Sequence, residues 1–388
     1  MNEIWAGPLL PEDIATLKSA AREFVDRYVL PHEAQISRTC VMPDETAERL
    51  RQAGYFGLTI AEEYGGLGVS HLAYCAVLEE LSRAPKSVWL PISIANGVAS
   101  QLLEIAGSDE QRKRYLPGIA AGELVAAIAV TEPEAGSDVQ GLKTRAVRAD
   151  GGWRLQGSKH YITLGARADV LFVLARTEGD NSGARSFTVF LVEKDTPGFS
   201  IAGMQETMSG PVAEQAELLF EDCFVGEEYV LGEVGEGLKA IFKTFAEERI
   251  SMAITALGTA RRAIELAAEY ATQRTAFGSP IGDYQAIQIQ LADSVTELAA
   301  AQSMTYALAS QLESRRVTAA EAAMVKLYAS EMVGRVADRA LQIFGGYGYM
   351  AEAPISRIYR DVRIMRISGG TSEIQRNVIA KALLREVS

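Results

Sequence analysis

Two short segments carry hydroxyls, backbone amides and an aromatic ring at spacings that could frame a small flat ligand. Segment 129–138, AVTEPEAGSD, runs from an apolar entry through Thr131 and a proline turn to Gly136 and Ser137. It places hydroxyls and N–H groups together at a strand-to-loop junction. Segment 157–165, GSKHYITLG, sets Tyr161 beside Thr163 at the edge of another strand-like run. Together they suit a planar heterocycle; a turn or a core Tyr and Thr explain either one alone. A third candidate is Glu247-Glu248-Arg249, within a helical run. At about 100° per residue, Phe242, Phe245, Met252, Ala256 and Ala263 form an apolar stripe, with Glu248 roughly 60° from its centre and Glu247 nearly opposite. A carboxylate on a mostly apolar face has a raised pKa, the condition for a base that takes a proton near neutrality, and Arg249 offsets part of this. A charge cluster on a solvated edge is the competing reading.

Other chemistries find little material. No GxGxxG follows a strand and no GxxxxGK[ST] occurs, so a nucleotide would have to bind another way. The three histidines, His32, His71 and His160, lie at no ligand spacing, so no metal centre is expected. Cys40, Cys75 and Cys223 are odd in number and outside any CxxC, and read as reduced structural residues. Fifty acidic against 38 basic residues give a net charge of −12, which repels phosphate backbones and lacks a basic tract for a membrane surface. Neither nucleic acid nor membrane is an expected partner. The opening residues carry acids early, and no stretch of about 18 apolar residues is apparent, which together lead to an expected cytoplasmic location.

The elements that must position these residues fall into three runs. Up to about residue 125 the pattern is helical, as in 17–31, 44–57 and 109–122, with Asp44 and Asp109 where N-caps belong. From about 126 to 235, Gly, Asp and Ser punctuate β-rich runs at 152–164, 168–177, 186–194 and 216–225. From about 236, long helical patterns return at 238–274, 283–314 and 319–346. The Ala-rich helices near 288–313 and 319–343 are apolar on more than one face, which suits a bundle or an oligomer interface.

The segments EEYGGLGVS (62–70), GSDEQRKRYLPGIAAGE (107–123), AVTEPEAGSD (129–138), SKHYIT (158–163), RTAFGSPI (274–281), QIFGGYGY (342–349), IYRDVRI (358–364) and GGTSEIQR (369–376) occur in the order and spacing of one family. Taken together, they resemble the acyl-CoA dehydrogenases over nearly the whole chain. The resemblance implies an α+β fold: an N-terminal all-α domain over 1–125, a middle β-barrel or sandwich domain over 126–235 and a C-terminal four-helix bundle over 236–388. It implies FAD, with Ile128, Val130, Thr131 and Ser137 facing the flavin ring and Tyr161, where many members have Trp, and Thr163 covering other parts. Arg274 and Phe277 of a neighbouring subunit, with Gln342 and Gly346, would meet the pyrophosphate and adenine end; Arg suits bidentate phosphate contacts. Thr371 and Glu373 correspond to further cofactor contacts, although capping of a helix by Thr371 explains them as well. A homo-oligomer, expected to be a tetramer, follows.

The implied reaction takes a proton from the carbon next to a thioester carbonyl and a hydride from the next carbon. Many members carry the base one residue before the Gly-Thr of the last motif, where this chain has Gly369. The isovaleryl- and long-chain-type members supply it from a helix directly before an arginine, and Glu248-Arg249 matches that placement. Glu248 is therefore the expected base, with Ser137, Arg249, Gly369 and Gly370 at the substrate and the Gly369 N–H on the thioester oxygen. Ser368 and Gly369 are small, which reads either as a tight turn or as space for a branched or cyclic acyl group. The expected function is α,β-dehydrogenation of a short, branched or cyclic acyl-CoA to the trans-2-enoyl-CoA, with electrons passed to an electron-transfer flavoprotein. Two departures bear on the thioester carrier: 205–220 lacks the usual Arg-Gly-Ser pattern, and Ala246 replaces a common acid. An acyl-carrier protein is thus an alternative to CoA. Rival readings are a flavin monooxygenase of the same fold, opposed by Glu248-Arg249, and a catalytically silent assembly protein, opposed by the intact AVTEPEAGSD and GGTSEIQ segments.

Overall fold

The computed structural model describes residues 4, 7–39, 41–177, 186–315 and 317–386; Cys40 lies outside them. The chain divides into two compact units, one of Met1–Thr46, Ser70–Leu90 and Ala246–Ser388, the other of Ala47–Val69 and Pro91–Phe245. Helices α1 (Glu12–Phe24), α2 (Glu33–Thr39), α3 (Asp44–Gln52), α4 (His71–Leu81), α5 (Lys86–Ile94), α6 (Ser100–Ala106) and α7 (Asp109–Ala120) come first. Asp109 is the first helical residue rather than the cap. Ser108 caps α7, its hydroxyl accepting from the Gln111 N–H at 3.2 Å while Gln111 answers the Ser108 N–H at 3.0 Å. Asp44 likewise opens α3 from inside the first turn, where its charge suits the helix dipole. By length and composition alone, Lys86–Ala106 is apolar enough to cross a membrane, contrary to the sequence expectation. Most of that stretch is buried inside the protein, and it is broken by Pro91 and by Gly97, whose φ of −103° and ψ of −117° are not helical.

The strands are β1 (Ala126–Ala129), β2 (Arg145–Ala149), β3 (Gly152–Thr163), β4 (Val170–Thr177), β5 (Phe187–Glu193), β6 (Phe199–Thr207), β7 (Gly210–Gly226) and β8 (Val230–Leu231). Among the described residues they form one sheet in the order β6-β7-β3-β2-β4-β5-β8, with β1 parallel to β4. β4 and β5 are buried on both faces, which is why they read as continuous apolar runs instead of alternating ones. Side chains still alternate. Val170, Phe172 and Leu174 pack with Leu102, Tyr115, Leu116 and Ile119, whereas Leu171, Val173 and Ala175 pack with Trp153, Leu155, Leu218 and Phe220.

The other unit is helical. It holds most of α8 (Gly237–Gln273), the hairpin β9 (Thr275–Ala276) and β10 (Ser279–Pro280), then α9 (Gln285–Ala309), α10 (Ala319–Phe344), α11 (Pro354–Asp361) and α12 (Ser372–Glu386). α10 packs against α9 and α12, while α1 packs on α4. Gly258 lets α8 approach the α4 backbone, since a Cβ there would overlap the Glu79 carbonyl. The fully buried Glu79 side chain ties α1, α4, α8 and α9 together through Lys18, Arg261 at 3.1 Å, Tyr306 at 2.6 Å and Gln302 at 2.8 Å. Burial pushes its pKa up, but Lys18 and Arg261 outweigh this and hold it at about 2. In the described part of the chain, Cys75 and Cys223 are buried free thiols, raised by desolvation to about 12 and about 11.

Candidate active site

In the sheet unit, AVTEPEAGSD leaves the end of β1 as expected. A buried lysine pins it: Lys159 Nζ donates to the Val130 carbonyl at 2.9 Å and to Glu132 Oε1 at 2.8 Å. Glu132 in turn accepts from the Lys143 and Thr144 N–H groups at 2.6 and 2.9 Å, and the His160 N–H donates to the Thr131 carbonyl at 2.8 Å. Burial lowers the Lys159 pKa to about 8 against the opposing pull of Glu132. Ile128, Val130 and Thr131 are half-buried and Ser137 is exposed. The β3–β7 register shifts between Lys159 and Ile162, and in that bulge Tyr161 adopts φ 58°. The bulge re-aims the ring, which is 60% exposed, out of the sheet. Thr163 stays in the ladder, its hydroxyl accepting from the Gln215 amide at 3.0 Å.

The helical unit holds the carboxylate. Glu248 on α8 faces the turn before α12, where Gly369 and Gly370 have φ of 60° and 88°. A Cβ placed on Gly369 would sit 3.8 Å from Glu248 Oε1 and would overlap the Met252 sulfur. The base candidate from the helix thus stands beside the position where many members carry theirs. Glu248 keeps some solvent exposure, yet protein atoms crowd the carboxyl itself. Desolvation raises its pKa to about 7, with the nearby Arg249 and Lys326 charges pulling the other way. Glu247 faces another way and pairs with His71 at 2.7 Å. Arg249 lies buried, donating Nη1 to the Ala319 carbonyl at 3.4 Å, and burial lowers its pKa while Glu248 opposes.

The wheel reading is partly corrected. Phe242 is exposed, and from Ile250 to Ala263 nearly every side chain of α8 is buried, so the helix has no single apolar stripe there. The remaining expected cofactor residues of this unit sit at element ends. Arg274 follows α8 and is exposed, and Phe277, 99% exposed with φ 52°, tips the β9–β10 hairpin. Gln342 and Gly346 are exposed at the end of α10, where Phe344 stacks on Tyr270 with ring centroids 4.3 Å apart. Thr371 caps α12, its hydroxyl accepting from the Ile374 N–H at 3.3 Å, and Glu373 is exposed in the first turn. Sequence reading gave no site role to Lys159, Lys326 or Gln375, and placed Met252 only in the apolar stripe of α8. Lys326 did leave a signal, a lone cation in the otherwise apolar run AAMVKLYA.

Three family models match in succession: the acyl-CoA dehydrogenase N-terminal domain over residues 11–123, the middle domain over 127–223 and the C-terminal domain over 235–384. Isovaleryl-CoA dehydrogenase of Solanum tuberosum is 36% identical over 95% of this chain and 90% of its own length. The 2-methylacyl-CoA dehydrogenase of the same plant is 35% identical over 97% and 92%. Among solved structures, butyryl-CoA dehydrogenase from Megasphaera elsdenii aligns with a TM-score of 0.91 at 33% identity, covering 97% of this chain and all of its own. A structure described as the electron transferring flavoprotein of Acidaminococcus fermentans aligns at 0.91 and 34% identity, over 97% and 99%. The acyl-CoA dehydrogenase of Bacillus anthracis complexed with FAD aligns at 0.89 and 32%, covering 97% of this chain and 68% of that one. The helix–sheet–helix order is that of these proteins, and an oxidoreductase on this fold, matched over nearly its full length, belongs to the acyl-CoA dehydrogenase family.

Proposed function

We propose that this acyl-CoA dehydrogenase uses Glu248 as the base that takes the α-proton of the thioester. The observation that carries the reading is the Glu248 carboxyl, raised to about 7 and set 3.8 Å from the side-chain position of Gly369. A base with a pKa near the working pH is half ionised there and still strong enough to accept a carbon-bound proton. The Gly369 N–H, on a turn whose left-handed φ favours glycine, is assigned to the thioester oxygen, where it steadies the charge that grows as the proton leaves.

FAD is the cofactor, and the residues present fit it. Tyr161 offers an exposed ring, Thr131 and Thr163 bring hydroxyls to strand ends, and the exposed Arg274 makes no ion pair with a described residue, which suits a phosphate. When bound, FAD supplies the acceptor for the hydride that leaves the β-carbon. Ile128, Val130 and Ser137, with Phe277, Gln342, Gly346, Thr371 and Glu373, complete the proposed cofactor set. Lys159 and Glu132 fix the loop on which the first of these stand.

The substrate is assigned as a short acyl-CoA with a branch near the reacting carbons, supported by the likeness to isovaleryl- and 2-methylacyl-CoA dehydrogenases. Electrons are assigned to an electron-transfer flavoprotein, supported by the likeness to the Acidaminococcus structure. A homotetramer is supported by large apolar side chains left on the surface, among them Phe277, Tyr349, Leu383 and Leu384. The segments 1–125, 126–235 and 236–388 are kept as the proposed domains, close to the matched ranges. The test is anaerobic mixing of the yellow protein with straight, branched and cyclic acyl-CoAs while flavin bleaching is followed, for wild type and Glu248→Gln. Fast bleaching by a branched thioester, lost in the variant, is expected. A variant that bleaches as fast as wild type ends the assignment of Glu248.

A further inference from the structure

Two buried side chains from different helices hold the glycine turn beside Glu248. Lys326 on α10 is fully buried, and its Nζ donates to the Gly370 carbonyl at 2.7 Å. Gln375 on α12 is equally buried, and its Nε2 donates to the Gly369 and Gly370 carbonyls at 3.0 and 2.9 Å. Because the peptide unit is planar, these bonds fix the planes on either side of Gly370. The direction of the Gly369 N–H then depends on the φ and ψ of Gly369 itself.

A lysine is seldom fully buried, because its ammonium loses the solvation of water. One carbonyl hydrogen bond repays only part of that loss. Charge offsets a further part: Glu248 on α8 and Glu373 on α12 favour the ammonium, while Arg249 on α8 opposes it. Burial and Arg249 together leave the lysine pKa near 8. The same cation is one of the two charges, with Arg249, that favour the ionised Glu248. An uncharged side chain could brace the turn; a cation here also acts on the carboxylate.

We propose that Lys326 is a positioning residue for the reaction, tying the Gly369–Gly370 turn to the Glu248 carboxylate so that the thioester-binding N–H and the base keep their spacing. This rests on Glu248 being the base. Substrate enters a site whose N–H donor and proton acceptor are already oriented, and the ammonium favours the carboxylate form that must react.

The experiment compares Lys326→Met, Lys326→Gln, Lys326→Arg and Glu248→Gln as FAD-loaded full-length enzymes. The rate of anaerobic flavin reduction is measured from pH 5.5 to 9 with the best acyl-CoA from the panel, and binding of the matching enoyl-CoA product is titrated by the flavin absorbance change. For Lys326→Met the reduction rate should fall by about tenfold or more at pH 7, a loss of oriented geometry. Its midpoint should move upward by roughly one pH unit, since an opposing charge has been removed, with product affinity changed less than about threefold. Lys326→Gln, which keeps a donor without charge, should show the pH shift with a smaller loss of rate and covers the case of a Met variant that fails to fold. Lys326→Arg should return the midpoint toward wild type. Lys326→Met or Lys326→Gln with a wild-type rate and midpoint overturns the proposal even if thermal stability drops. If Glu248→Gln reduces its flavin at the wild-type rate, the base assignment fails instead; if that variant is inactive while Lys326→Met is normal, only the role of Lys326 fails.

Discussion

Replacing Glu248 by Gln should change the pH dependence of stability by an amount the structure sets. The carboxyl pKa is raised from 4.5 to about 7 in the folded protein, with desolvation outweighing Arg249 and Lys326. A raised carboxyl pKa means the folded state holds the proton more tightly than the unfolded chain. Folding stability from this group therefore falls as pH climbs from about 4.5 to about 7, and the full penalty remains above that. At about 1.4 kcal/mol per pH unit the shift corresponds to about 3 kcal/mol, reduced to roughly 2–3 kcal/mol because Glu248 retains some exposure. Gln keeps the shape and never ionises. The variant should gain roughly 2 kcal/mol on wild type between pH 5 and pH 8, read as the difference in urea unfolding free energy at equal m-values. The same substitution should lower the flavin reduction rate by about 100-fold to 10,000-fold, as expected for loss of a general base. A stability gap between the two proteins that is the same at pH 5 and pH 8 would show that the carboxyl is solvated and ordinary, and would remove the physical basis for its role.

Three further outcomes follow from the same geometry. Gly369→Ala should lose roughly 2–4 kcal/mol of unfolding free energy, from its left-handed φ and from overlap with the Met252 sulfur, and Met252→Ala in the same chain should recover part of it. Additive losses in the double variant would contradict the contact. Met252→Ala alone should raise the reduction rate of branched over straight acyl-CoAs by clearing space beside Glu248, measured as the ratio of kcat/KM values; an unchanged ratio would place the acyl group elsewhere. Lys159→Met leaves Glu132 buried without its cation, so it should cost about 3–5 kcal/mol and weaken FAD retention. FAD content after dialysis checks this, and full retention would mean that the 128–137 loop needs no brace.

What could be read from the sequence was what local periodicity encodes. The apolar runs of β4 and β5, the long helices α8 to α10 and the strand-end loop after β1 follow from spacing two or three-to-four apart, and they lie close to where spacing put them. The caps were misjudged by one residue because Ser108 and Asp109 both suit a helix start, and only the reciprocal bond with Gln111 distinguishes them. The site was less legible, because its energetics are set by residues far apart in sequence. The Glu-Arg match and the phase of α8 both point to Glu248, but the stripe used for the phase includes the exposed Phe242 and omits the nearly all-round burial that begins at Ile250. The carboxyl is perturbed by burial and by the charge of Lys326 on α10, which no wheel of one helix contains. Gly369 shows the same limit most clearly. Its small side chain suggested vacant space for a branched acyl group, yet the Met252 sulfur occupies the direction in which a Cβ would point. In the proposed site, room for a branch depends on how far the flexible Met252 side chain can swing, which would make acyl specificity a property of α8 as much as of the glycine turn.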